Sequence, residues 1–198
     1  LPIPQSMVYG EGKVLLDTHT GIYYEGNLSF EASSLAKSLE QVFKKQFNAH
    51  EGTKDDAFAI NLKLVDDSSF ITDEAYKMTV SAEHGIDITA RASAGIFYGV
   101  QSLRQLIPVS AYSGGTSAEI KEVTIIDAPR FEYRGLMIDA VRNFHSKESI
   151  LKSLDLMAFY KINKFHFGIT NDEGWRVEIK GLPELTTFGA RRGYSENE

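Results

Sequence analysis

The chain has 198 residues, 42% of them hydrophobic and 24% charged, with a formal net charge of −6; this is ordinary globular composition, enough for one sizeable domain or two small ones. An acidic balance with no Lys/Arg-rich run argues against a nucleic-acid partner. The lack of cysteine excludes disulfides, thiol catalysis and Cys-based zinc sites while leaving the compartment open, and no apolar run reaches the roughly 18 residues of a membrane span.

In chain order, Leu1-Pro2-Ile3-Pro4-Gln5 has neither a basic nor an apolar signal region and is not expected to be a signal peptide. Lys13 to Asp17 predicts a first strand. Glu31 to Asn48 has helical spacing, with Leu35, Leu39, Val42, Phe43 and Phe47 on one face. Ala57 to Val65 alternates, placing Phe58, Ile60, Leu62 and Leu64 on one side of a half-buried strand, and polar residues 66–74 read as a loop. Tyr76 to Val80 and Ile86 to Ala90 alternate again around a Gly-containing link, which predicts a hairpin. Ala94 to Ile107 predicts a helix carrying Phe97, Val100, Leu103 and Ile107 inward; Pro108 and the Ser/Gly stretch 110–117 end it. Ile120 to Ile126 closes the unit as a strand. This order describes an α+β domain, an antiparallel-leaning sheet carrying two helices. Nothing in the first unit stands out chemically, although Asn27-Leu28-Ser29 fits an N-glycosylation sequon.

Asp127-Ala128-Pro129 marks a boundary, because proline does not continue a central strand. Beyond it the rhythm is β, α, β. Tyr133 to Ile138 is short and almost wholly apolar, the pattern of a buried parallel strand. Lys147 to Lys161 predicts a helix with Ser146 as N-cap and Glu148 in its first turn, burying Ile150, Leu151, Leu154, Met157 and Ala158. Lys164 to Thr170 predicts the next strand, reached by a right-handed crossover. Asp139 and Arg142 follow the first of these strands directly. Ligands of open α/β sheets and barrels bind at the carboxyl ends of strands. The charged pair therefore marks the candidate site.

Several long runs are similar to one family. Pro129-Arg130-Phe131 through Arg142, and Phe165-His166-Phe167-Gly168-Ile169-Thr170-Asn171-Asp172-Glu173-Gly174-Trp175-Arg176, resemble the opening of the catalytic barrel of glycoside hydrolase family 20, the β-N-acetylhexosaminidases. Glu178 to Thr186 with Gly189 is similar to the chitobiase branch. Glu74 to Met78, Gly85 to Ala90 and Gly95 to Leu106 resemble the small domain preceding that barrel. The resemblance implies residues 1–127 as a small α+β domain with a zinc-protease-like (zincin-like) topology, and 128–198 as the βαβ start of a TIM (β/α)8 barrel. A full barrel takes about 250 residues, so the barrel portion is expected to be incomplete.

The resemblance also implies a chemistry. Terminal N-acetylglucosamine or N-acetylgalactosamine is released with retention, and the substrate's own 2-acetamido group attacks C1, an exception to the two-carboxylate scheme. An Asp orients that group and the adjacent Glu protonates the leaving oxygen. Both are expected on a later barrel strand, so this chain is expected to hold no catalytic acid and to be inactive alone. Asp172-Glu173 aligns with the second-strand loop motif rather than with the acid pair.

Arg142 matches the family arginine that binds the 3- and 4-hydroxyls of the terminal sugar; a structural ion pair with Asp139 is the plainer alternative. Asp139, Asn171, Asp172 and Trp175 are candidates for supporting the site. Asn171 and Gly168 depart from the family's His-Leu-Thr-Asp-Asp pattern, in which an aspartate supports a histidine beside the acid; an amide stabilises an imidazolium less well. Trp175 is expected to pack the second loop. His166 is expected to be a hydrogen-bonded core residue, His145 to lie near the barrel mouth, and Arg130 and Arg134 to pack the strand start against the first domain. No metal and no cofactor are implied, and no His-Glu-x-x-His motif is present.

The expected partners are β-linked N-acetylhexosamine glycans, with no nucleic acid and no membrane span. The resemblance places the protein outside the cytoplasm, whether periplasmic, secreted or lipid-anchored. Two parallel strands cannot close a barrel, so self-association through residues 133–170, or disorder there, is expected of the isolated chain. The alternative function is a non-catalytic accessory module that contacts carbohydrate or serves as a scaffold.

Overall fold

The computed structural model describes residues 2–54 and 58–191, which form two compact units, Leu1–Arg130 and Phe131–Glu198. Ala57, the predicted start of one strand, lies outside the described residues.

In the first unit, the strands are β1 (Ser6–Asp17), β2 (Gly21–Tyr24), β3 (Ala49–Glu51), β4 (Ala59–Leu64), β5 (Tyr76–Ser81), β6 (Gly85–Ala90) and β7 (Ser117–Asp127). They form one sheet in the order β1-β7-β5-β6-β4-β2-β3. Two helices accompany it, α1 (Ser29–Phe43) and α2 (Ser93–Leu106). The sheet is mixed rather than antiparallel-leaning: β4 pairs in parallel with β2 and β6, and β2 with β3. Helix α1 lies between β2 and β3 in sequence, and a helical connection of that kind is what makes a parallel ladder possible. The predicted hairpin is present as β5–β6, paired from Tyr76↔Ala90 to Ser81↔Gly85.

Alternation builds the core. Ile60, Leu62, Met78, Val80, Ile86, Ile88, Val123 and Ile125 join Leu35, Leu39, Ile96, Val100 and Leu103 of the helices in one buried cluster. Helix α1 stops at Phe43, short of the expected Asn48, because Lys44 turns into the left-handed region at φ 55°. Phe47 is still buried from the loop beyond, and its backbone N–H donates to Glu40 Oε1 at 3.2 Å. Strand β1 is far longer than predicted. A register shift between Tyr9 and Lys13 breaks it, and there Glu122 accepts hydrogen bonds from the N–H groups of Gly12 (3.1 Å) and Ala82 (2.8 Å).

Tyr76 ends a buried chain of hydroxyls. Its phenol lies 2.6 Å from Ser102 Oγ and donates to Asp127 Oδ2 at 3.2 Å. Burial, with the Asp127 carboxylate alongside, pushes the phenol far above its ordinary value. In the unfolded chain a tyrosine ionises near pH 10. The native state therefore keeps a proton that the unfolded state has lost, and this group's stabilisation is complete below about pH 10 and fades as pH climbs towards the folded value. Tyr76→Phe is expected to lose about 1–2 kcal/mol at pH 7 and to show a flatter alkaline limb. Urea unfolding at pH 7 and at pH 10.5 reads both effects; a wild-type advantage that grows with pH would contradict the account.

In the second unit, β8 (Gly135–Asp139) and β9 (Lys164–Gly168) form a parallel pair joined by α3 (Lys147–Phe159). Ser146 caps α3, its hydroxyl accepting from Ser149 N–H at 3.2 Å. The Glu148 carboxyl is held below its ordinary range by its own backbone N–H and by Ser146. The strand predicted as buried is largely open in this structure: Leu136 is 37% and Met137 51% exposed. Its apolar sequence calls for covering layers, whereas among the described residues β8 and β9 form a two-stranded sheet. His166 pairs in register with Met137 and is exposed on β9, not a core residue as expected. Arg134 is structural: Nε donates to Lys161 O at 2.7 Å and one terminal nitrogen to Phe131 O at 2.7 Å. Lys161 sits at φ 61°, so the arginine braces an unusual turn between α3 and β9.

Candidate functional site

Because β8 and β9 run in parallel, their carboxyl ends share one edge, with Asp139 paired to Gly168. Ala140 extends the pairing, its N–H donating to Gly168 O at 2.9 Å. The chain then turns sharply. Asp139 Oδ1 accepts from the N–H groups of Val141 (2.9 Å) and Arg142 (3.1 Å), an Asx turn that fixes where the arginine leaves the backbone. The other oxygen, Oδ2, lies 3.1 Å from Arg142 Nε. One carboxylate therefore shapes the turn and also orients the guanidinium it carries.

After β9 comes a minimal hairpin, β10 (Thr170–Asn171) with β11 (Gly174–Trp175), closed by Asp172 and Glu173. Asn171 Oδ1 accepts from Glu173 N–H at 2.8 Å, which closes the tip. Asp172 is exposed there. Glu173 turns back, and its Oε2 lies 3.7 Å from Arg142 Nε. The guanidinium is thus approached by two carboxylates at Nε, while 61% of its side-chain surface stays open.

Trp175 is only partly exposed and serves the loop. Its indole N–H donates to Val177 O at 2.6 Å, and its backbone N–H to Gly189 O at 2.7 Å. The short helix α4 (Glu184–Thr187) precedes Gly189, where an added Cβ would lie 2.6 Å from Leu185 O. This crowding accounts for glycine at the point where the loop returns to Trp175.

Arg176 is the residue that sequence reasoning missed. It donates from Nε to Ala140 O at 3.1 Å and from a terminal nitrogen to Val141 O at 2.9 Å. Its other terminal nitrogen donates to Ala190 O. The guanidinium also lies 5.7 Å from the Phe144 ring centroid. It therefore ties the Asp139–Arg142 turn to the segment after the hairpin. Only its place beside Trp175 hinted at this, since carbonyl partners leave no mark in a sequence.

The backbone leaves room for a β-carbon at Gly168. A Cβ at Gly168 would stand 3.4 Å from Met137 Cε and 3.5 Å from Asp139 Cα, ordinary contact distances. An aspartate at 171 would accept the Glu173 N–H as asparagine does. His145 is exposed and lines, with Phe144, Ile150, Phe167 and Arg176, a cavity of about 390 Å³. Among the described residues, no group of three or more His, Asp or Glu is placed to hold a metal ion, and no helix is long and apolar enough to cross a membrane.

Residues 131–198 match the family model for the glycosyl hydrolase family 20 catalytic domain, and residues 1–128 the model for domain 2 of the same family. An N,N'-diacetylchitobiase from Vibrio harveyi is 49% identical over 124 residues, 63% of this chain and 13% of that protein. A β-hexosaminidase from Porphyromonas gingivalis is 34% identical over 196 residues, 97% of this chain and 25% of that protein. A crystal structure of the family 20 exo-β-N-acetylglucosaminidase from Vibrio harveyi, in complex with N-acetylglucosamine, matches with a TM-score of 0.83 at 32% identity, over 99% of this chain and 30% of that one. The chain thus spans less than a third of each of these relatives.

Proposed function

Because this chain belongs to glycosyl hydrolase family 20, we propose that it supplies the small domain and the opening strands of the catalytic domain of an exo-acting β-N-acetylhexosaminidase. Such an enzyme removes terminal N-acetylglucosamine or N-acetylgalactosamine with retention. The observation that carries the reading is Arg142, at the shared carboxyl edge of two parallel strands and braced at Nε by Asp139. A guanidinium held by Nε has its two terminal nitrogens in a plane, matched to neighbouring sugar hydroxyls. Asp139 orients that plane, and Trp175 and Arg176 hold the loops around it.

The bond-breaking steps need two further carboxylates. One would orient the acetamido group as its oxygen attacks C1; the other would give its proton to the leaving oxygen. This reading assigns neither role within residues 1–191. Asp172 is exposed at a hairpin tip, and Glu173 faces Arg142. The same proposal takes the enzyme to act outside the cytoplasm, whether periplasmic, secreted or lipid-anchored.

The test is release of p-nitrophenol from p-nitrophenyl N-acetyl-β-D-glucosaminide, with the full-length gene product and residues 1–198 side by side. Turnover by the full-length protein alone supports the reading. Turnover by residues 1–198 would overturn the assignment of the acids elsewhere. Turnover by neither would leave the carbohydrate-contacting scaffold as the better account.

A further inference from the structure

Resting on the assignment of Arg142 to sugar binding, we propose that Glu173 is a positioning residue, whose carboxylate sets the direction in which Arg142 presents its guanidinium. Two carboxylates approach Arg142 Nε, and they differ in what they can fix. Asp139 belongs to the same turn as the arginine and moves wherever that turn moves. Glu173 comes from a separate hairpin and gives the guanidinium an external reference, with Oε2 3.7 Å from Nε.

That reference is itself held. Asn171 Oδ1 pins the Glu173 N–H at 2.8 Å, and the pairs Thr170↔Trp175 and Asn171↔Gly174 close the hairpin. Below the tip, Arg176 N–H donates to Ile169 O at 2.9 Å, while its guanidinium holds the carbonyls of Ala140 and Val141. The hairpin thus grips the 139–142 turn twice, on its backbone through Arg176 and on its functional side chain through Glu173. Both partners of the outer ion pair are partly exposed, so the pair adds little to stability. Its consequence is geometric: with Nε drawn towards two carboxylates, a long, otherwise mobile arginine has fewer directions in which to present its terminal nitrogens. Asn171 then has a function without being a proton relay, as the residue that places Glu173.

Kinetics of the full-length protein test this. Glu173→Ala is expected to raise KM for the p-nitrophenyl substrate about tenfold, with kcat changed less than about twofold, the pattern of lost uniform binding. Thermal stability should not move. Glu173→Gln should fall between Glu173→Ala and wild type, and Asn171→Asp should raise KM less than Asn171→Ala. The deciding measurement is the double mutant. In an Arg142→Ala background, Glu173→Ala should add nothing, because no guanidinium is left to position. Independent, additive losses would overturn the proposal, as would an unchanged KM in the single variant. A wild type that turns over no hexosaminide would sink the functional reading instead. For that case the proposal has a readout without substrate, the ¹⁵N–¹H signal of Arg142 Nε. It should shift and broaden in Glu173→Ala and not in the exposed control Glu148→Ala; an unmoved signal would overturn the proposal.

Discussion

Arg142→Ala, made in the full-length protein, is expected to lower kcat/KM for p-nitrophenyl N-acetyl-β-D-glucosaminide by about a thousandfold with little change in stability. The size follows from what the side chain offers. Two hydrogen bonds from a charged donor to sugar hydroxyls contribute about 1.5–3 kcal/mol each. Their joint loss, roughly 3–6 kcal/mol, corresponds to two to four powers of ten in rate. Little stability is at stake, because the side chain is mostly open and its ion pairs are exposed or half-exposed. Arg142→Lys should recover less than about tenfold, since an ammonium is a point charge and cannot span two oxygens in a plane. Removing Arg142 also leaves Asp139 and Glu173 without their shared cation, so Asp139→Asn in the Arg142→Ala background should be milder than the same change in wild type. A fall of less than tenfold for Arg142→Ala would instead make the ion pair with Asp139 the whole of its purpose.

How far such a site can be read in advance depends on how local its chemistry is. Helices α1 and α2 and the β5–β6 hairpin were legible because their periods are written in consecutive residues. The parallel ladders of β2 with β3 and β4 were not. Four-residue β2 and three-residue β3 carry too little pattern, and the choice of partner is a long-range matter. Strand β8 shows a different limit. Its sequence predicts burial, but hydrophobicity records the surroundings a strand is suited to rather than those a two-stranded sheet gives it.

The site divides in the same way. Asp139 and Arg142, three residues apart at a strand end, could be picked out from position and charge alone. In sequence, Glu173 beside Asp172 resembles an acid pair, and Asn171 is conspicuous only as an amide in place of a carboxylate. Asn171-Asp172-Glu173-Gly174 nevertheless carries turn chemistry, an Asx residue followed by a glycine, and that signal was sufficient to predict the tight hairpin. Its approach to Arg142 was not legible, because it depends on two strand ends meeting in space.

The largest effect on stability is expected at Gly95, where helix α2 meets the sheet with no side chain between them. A Cβ built there would lie 2.2 Å from Ala75 O and 2.7 Å from Ala90 Cβ. One turn on, a Cβ at Gly99 would lie 2.4 Å from Ile88 Cγ2. The two glycines form a flat strip that lets Ile96, Val100 and Leu103 reach the core. Two terms oppose each other in Gly95→Ala. Alanine favours the helix by about 1 kcal/mol, whereas overpacking costs about 1–3 kcal/mol and more when the obstacle is backbone. The Ala75 carbonyl is backbone, joined to buried Tyr76, so it cannot rotate aside as a side chain would. The overlap should win, with a net loss of about 3 kcal/mol for alanine and a larger one for valine. That is a large share of the roughly 5–15 kcal/mol by which domains are stable. Urea unfolding of Gly95→Ala beside Ser93→Ala, an exposed change in the same helix expected to stay within about 0.5 kcal/mol, measures the difference directly. If Gly95→Ala proved neutral or stabilising, helix propensity would have outweighed the contact, and α2 would have room to lift off Ala75 without losing the packing of Ile96 and Val100.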